Sequence, residues 1–167
     1  MEYFEVIQKR HSVRSYKPDP VEPEKLQQVL EAARLAPTAA NKQAFKIFVV
    51  GTAGRNEELK KIYSRDWFVE APYILGVCSI PEKSWVRLDH KNYADVDVAI
   101  VMDHIILAAT NLGLGTCWIG AFHPQAAHEV LGLDDTLEPI AFTPLGYPRE
   151  APFNKVRKPL AELVVYQ

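Results

Sequence analysis

The chain has 167 residues, 48% hydrophobic and 24% charged, with a formal net charge of −2. That composition is ordinary for a globular protein, and roughly two thirds of the unfolded surface can be buried at this length, so one domain over residues 1–167 is expected. The acidic balance argues against a nucleic-acid binder working through bulk charge, and two separated cysteines, Cys78 and Cys117, give no zinc or iron–sulfur framework.

Cysteine usage suits a reducing compartment. Residues 1–5 are too polar to open a signal peptide, and no apolar run reaches about 18 residues, so a cytoplasmic protein without a membrane segment is expected. Phe4, Val6 and Ile7 between charges predict a short helix over residues 2–9. The run Lys9-Arg10-His11-Ser12-Val13-Arg14-Ser15-Tyr16-Lys17-Pro18 follows. Guanidinium forks match phosphate oxygens and serine adds a neutral donor, so this mixture suits a phosphate. If the backbone is extended there, alternation puts Arg10, Ser12 and Arg14 on one face. A solvated polar turn is the alternative.

Val21-Glu22-Pro23-Glu24 opens a second helix, with proline and glutamates suited to its positive end. Leu26, Val29, Leu30 and Ala33 give it an apolar face, and it stops near Leu35, before Pro37. The stretch Ala36-Pro37-Thr38-Ala39-Ala40-Asn41-Lys42-Gln43 offers small residues, a hydroxyl and two amides. Amides both donate and accept, which suits the edge of a heterocycle. Residues 45–50 read as a strand, 57–64 as a short helix and Tyr73–Ser79 as a buried strand. Residues 81–91 carry no usable period.

Residues 93–112 form the longest predicted helix, apolar nearly all round and therefore expected to be buried nearly all round. A chain this short hardly wraps a helix on every side, so a partner subunit is expected. Further on, 116–119 reads as a strand, Pro124–Leu131 as a helix and 139–145 as a strand closed by Gly146-Tyr147-Pro148. Beyond a polar linker, residues 160–166 are strand-like and suited to pairing with another subunit. The class is α+β with one mixed sheet.

Three stretches, Arg10-His11-Ser12-Val13-Arg14, Pro37-Thr38-Ala39-Ala40-Asn41-Lys42-Gln43 and Lys155-Val156-Arg157, stand in an order that resembles the FMN-dependent nitroreductase family, with the Gly-Tyr-Pro turn between the last two. The likeness covers almost the whole chain. It implies that Arg10, His11 and Ser12, joined by Lys155 and Arg157, hold the FMN phosphate and ribityl chain. Arg14 would lie near the pyrimidine edge. Pro37, Thr38, Ala39 and Asn41, with Gln43 beside them, would form a loop that reaches the ring, usually from the other subunit. Ile119 and Gly120 would bring backbone to flavin N5.

The resemblance also implies a nitroreductase-like mixed sheet flanked by helices and an intertwined homodimer with an exchanged C-terminal strand. NADH or NADPH would be the hydride donor, and a nitroaromatic or quinone the small-molecule acceptor in ping-pong turnover. No catalytic side chain and no metal are required. A flavin carrier or sensor without turnover, or reductive dehalogenation or other flavin chemistry on the same scaffold, is the alternative.

The chain departs from the family where Ala44-Phe45 follows Gln43, since a proline often precedes the aromatic. It is also short in the middle, where longer members cover the substrate side. Trp67, Phe68, Trp85 and Tyr93 are candidates for the ring face, with core or dimer packing as the alternative. Cys117 reads as a buried, inert thiol.

Overall fold

The computed structural model describes residues 1–151 and 155–167. Its centre is a three-stranded sheet of β1 (Phe45–Gly51), β2 (Tyr73–Ser79) and β3 (Glu138–Leu145), in the order β1-β2-β3. Both pairings are antiparallel, which corrects the expected mixed sheet. The pairing directions give the reason. After β2 the chain returns along a long helix, runs out again on residues 115–119 beside β3, and then turns back into β3. Among the described residues one parallel contact joins the edge, an isolated bridge between Ser12 and Thr116.

The expected strand at 116–119 is a pair of bridges instead. Gly115 faces Gly146 and Ile119 faces Phe142 in one register. Cys117 between them opposes Pro144, which has no N–H to give. Cys117 O thus loses a ladder donor, Pro144 O accepts from Thr143 Oγ1 at 2.9 Å, and the Cys117 N–H donates to Thr143 Oγ1 at 2.9 Å, so the ladder is interrupted.

β2 is buried on both faces. On one side Leu75 and Val77 pack against α2 (Pro23–Arg34) and α4 (Ala94–Asn111). On the other, Ile74 and Phe142 meet Leu59 of α3 (Asn56–Leu59), Phe68, and Ala127 of α5 (Pro124–Leu131). A side chain at Gly76 would meet the Phe142 ring at 2.6 Å, so this strand needs a glycine for the ring to cross it. α1 (Tyr3–Lys9) packs on α4, and the N-terminal amine donates to Asn111 Oδ1 at 2.8 Å.

Within one chain, the two segments expected to meet a partner subunit are α4 and the tail. α4 is buried along one face only, through Val98, Val101, Met102, Ile105 and Ala109. Val96 is exposed, and Ile100 and Leu107 are half-buried. The tail is a 3-10 turn over Leu160–Glu162 rather than a strand. A strand needs an edge to pair with. Here Val164 N–H bonds back to Leu160 O at 3.0 Å, while Val165 and Tyr166 stay exposed. Residues 152–154 of the expected linker lie outside the described residues. No helix among the described residues is long and apolar enough to cross a membrane.

Candidate functional site

The basic segment leaves α1 as an extended edge. Val13 N–H donates to Thr116 O at 2.8 Å and its side chain is buried. A Cβ at Gly115 would meet Val13 at 2.8 Å, so glycine permits this approach. Tyr16 anchors the far end. Its N–H donates to Glu70 Oε2 at 2.9 Å and its hydroxyl to Val13 O at 2.9 Å. Burial pushes that phenol well above the usual tyrosine range, so it stays a donor. Arg149 closes the clamp, donating from Nη2 to Tyr16 O at 2.7 Å.

Burying Val13 and Tyr16 leaves the polar neighbours outside. Arg10, His11 and Ser12 line a cavity of about 160 Å³ together with Lys155, Val156 and Arg157. Residues near both ends of the sequence thus converge. Lys155 Nζ donates to Ile7 O at 2.8 Å and Arg10 O at 2.7 Å, a cation at the negative end of α1. Burial lowers its pKa, and the Arg10 and Arg157 cations lower it further. Among the described residues no carboxylate forms a salt bridge with Arg10, Lys155 or Arg157. The cluster is a concentration of positive charge that an anion would relieve, and it fits a phosphate.

Two more cavities lie along the same segment. One of about 110 Å³ shares His11 and Ser12 and adds Val13, Arg14 and Ser15 with Glu150. The next, about 510 Å³, shares Arg14 and adds Tyr63, Arg65, Asp66, Trp67 and Glu70. Tyr63 and Trp67 pack edge to face, with centroids 5.5 Å apart. The carboxylates in this last cavity are engaged, Asp66 with Lys60 at 2.8 Å and Glu70 with the Tyr16 N–H. The neighbouring cavities thus present, in order along the basic segment, three cations, then hydroxyls, then Arg14 and an aromatic wall. Trp67 lines the last of them. Phe68 is core, and Trp85 packs on Tyr93 with centroids 4.9 Å apart.

The Pro37–Gln43 stretch is elsewhere. Thr38 leads into a 3-10 turn at Ala39–Asn41, and Ala39 N–H donates to Asp97 Oδ1 near the start of α4. The basic segment lies by the other end of α4, where Lys9, His11 and Val13 share a cleft with Thr110 and Gly113. At about 1.5 Å of rise per residue, Asp97 and Asn111 are roughly 21 Å apart along the helix. One chain does not bring its two clusters together. Pro37, Asn41 and Gln43 are exposed, and Ala40, Asn41 and Gln43 have φ of 49°, 53° and 50°. Non-glycine residues in that left-handed region concentrate at functional sites.

Ile119 is buried, and both its backbone groups are spent on Phe142, at 2.8 and 3.0 Å. Gly120 beside it is exposed, and a Cβ there would meet only Trp118 Nε1, at 3.9 Å. Cys117 is buried. Burial raises its thiol pKa, while Arg14, Ser12 and Arg10 nearby pull it down.

Sequence reasoning missed Arg65, Glu70 and Asp97. Arg65 and Glu70 lie in a stretch without periodicity and carry no local signal. Asp97 had one, being an acid on the otherwise apolar buried face of α4.

A family model described as the nitroreductase family matches residues 7–87 and 65–147. The fold is similar to a nitroreductase family protein from Clostridium difficile 630, with 37% identity and a TM-score of 0.89 over 100% of this chain and 99% of that one. An FMN-dependent nitroreductase from Clostridium difficile R20291 superposes with a TM-score of 0.79 at 26% identity, over 89% of this chain and 90% of that one. An FMN reductase [NAD(P)H] from Bacillus subtilis (strain 168) is 27% identical over 175 residues, 95% of this chain and 70% of that protein.

Proposed function

The chain belongs to the nitroreductase family, and from that premise we propose that it is an FMN-dependent oxidoreductase using NADH or NADPH and serving, in ping-pong turnover, a small acceptor such as a nitroaromatic or quinone. The observation that carries the reading is the order of groups along the three neighbouring cavities: three cations, then hydroxyls, then Arg14 and an aromatic wall. A phosphate, a polyol chain and a planar ring follow the same order. Bound FMN supplies the two-electron chemistry.

The residues of this chain do the rest. Arg10, Lys155 and Arg157 hold the phosphate, with guanidinium forks matched to its oxygens. Ser12 and His11 flank the polyol. Arg14 would lie near the pyrimidine edge, where negative charge builds on reduction. A cation already in place there stabilises that charge without reorganising. Gly120 takes the part assigned to the backbone near N5, since Ile119 has no free backbone group. Trp67 and Tyr63 wall the cavity beside Arg14 and keep water from one side of it.

The ring loop comes from a second copy. Its own chain holds it at the opposite end of α4, and α4 leaves Val96, Ile100 and Leu107 incompletely covered. These residues, with the exposed Phe4, Leu160 and Tyr166, supply apolar surface for a homodimer. The exchanged C-terminal strand belongs to the same proposal, because pairing with a partner sheet would give residues 160–166 the edge they lack.

Anaerobic stopped-flow spectroscopy tests the reading. Purified protein with FMN is mixed with NADH or NADPH, then with a panel of acceptors. Bleaching of the yellow colour followed by its return with a nitroaromatic or quinone is expected, from a species that light scattering sizes as a dimer. Protein that stays colourless after FMN is added excludes the proposal. Colour that neither nicotinamide bleaches leaves flavin binding without turnover.

A further inference from the structure

The 38–43 loop is left-handed at three positions, and none is glycine. Side chains with a Cβ resist that region, so the surroundings must hold the loop in shape. Bonds inside the loop close it on itself: Gln43 N–H to Thr38 Oγ1 at 3.0 Å, Gln43 Nε2 to Asn41 Oδ1 at 3.1 Å, Asn41 N–H to Thr38 O at 2.9 Å and Lys42 N–H to Ala39 O at 3.2 Å. None of these ties it to the body of the molecule. Asp97 does.

Asp97 is 1% exposed, on the buried face of α4 with Ala94, Val98 and Val101. Its Oδ1 accepts the Ala39 N–H at 2.8 Å, while its Oδ2 is buried with no hydrogen-bond partner among the described residues. The early turns of a helix favour an acidic group, but a bare buried carboxyl oxygen is unfavourable. A residue retained for stability alone would be apolar here, like its neighbours.

We infer that Asp97 is a positioning residue for the coenzyme ring. It pins Ala39 to α4 and thereby keeps Ala40, Asn41 and Gln43 in the left-handed shape that presents the loop to the ring on a second copy. It touches neither coenzyme nor substrate and acts through the Ala39 amide. The inference rests on the proposed reading of this loop as the ring loop.

The test combines amide exchange on ligand-free protein with titrations of FMN and of inorganic phosphate, for the intact protein, Asp97→Ala and Asp97→Asn. In the unsubstituted protein the Ala39 amide exchanges at least about tenfold more slowly than that of exposed Ala40. Asp97→Ala removes this protection and weakens FMN by about tenfold or more. It leaves inorganic phosphate binding unchanged, because the cations lie at the other end of α4. Asp97→Asn keeps an acceptor oxygen and stays within about threefold of the original on both readouts.

An Ala39 amide as labile as Ala40, or a folded Asp97→Ala protein with undiminished FMN affinity, overturns the inference. If Asp97→Ala does not fold, exchange in the unsubstituted protein and the Asn variant decide it. An Asn variant that loses FMN while keeping Ala39 protected counts against it. Unsubstituted protein that binds no FMN defeats the function proposed above, and the exchange measurement still judges the loop tie by itself.

Discussion

The two ends of α4 hold their candidate site residues in different ways. At the C-terminal end, Arg10, Lys155 and Arg157 crowd together with no carboxylate among the described residues that line their cavity, so the unfavourable term is electrostatic. At the N-terminal end the loop is short of charge, and the unfavourable term is conformational: three left-handed residues tied through one amide to Asp97. The sheet beneath is buried on both faces of β2. Charge crowding is relieved by any suitable anion, whereas a shaped loop is relieved only by a change of its own backbone. The first arrangement suits a phosphate, and the second suits recognition of one ring.

The comparison can be broken most severely from below. Phe142→Ala empties the space over Gly76 and costs about 3–5 kcal/mol of stability, read by urea denaturation. Both ends then fail together. A loss confined to one end would show that the sheet does not support them jointly.

Arg10→Ala separates the ends. FMN affinity falls by about 2–4 kcal/mol if the charge pair is well desolvated, read by flavin fluorescence titration with the thermal midpoint unchanged. The remaining affinity becomes less sensitive to salt, since a screened contact has been removed. Flavin retention equal to the original would move the phosphate elsewhere.

Ala40→Gly acts on the other end. Glycine accepts a φ of 49° without steric cost, so thermal unfolding should show a gain of about 0.5–1 kcal/mol once the entropy of the added glycine is set against the strain. FMN affinity should not improve with it. A loss of stability would mean that the left-handed turn is not strained.

The smallest effect is a pH dependence. Lys155 has a folded-state pKa below the ordinary lysine value of 10.5, through burial and then its cationic neighbours. The folded state releases this proton first. The contribution to ligand-free stability is therefore fully present above 10.5 and lost as pH falls through the lowered value. Inorganic phosphate should flatten that slope, and an identical slope in Lys155→Met would assign it to another group.

Much of this was legible in the residues. The apolar run Tyr73–Ser79 between turn signals could only be a buried strand, and Pro124–Leu131 opens on proline and ends before a glycine as helices do. The cations at Arg10, Arg14, Lys155 and Arg157 were visible because charge and hydroxyl chemistry is written in side chains. The interruption at Cys117 was not, because it arises from Pro144 lying opposite, across a pairing that local sequence does not state. Nor were the left-handed Ala40 and Gln43. Alanine and glutamine carry no signal for that region, and the loop's tie to α4 joins Ala39 to Asp97, 58 residues away in the chain.

Sequence by itself determined which groups are available: the cations, the amide loop, the apolar strands and the family they compose. Only the tertiary structure decided where they stand. It joined Arg10 to Lys155 and Arg157, joined Arg14 to Trp67, and put the amide loop at the far end of α4. The physical reason is that side-chain chemistry is local, whereas proximity is set by how the strands pair and which helix lies between them.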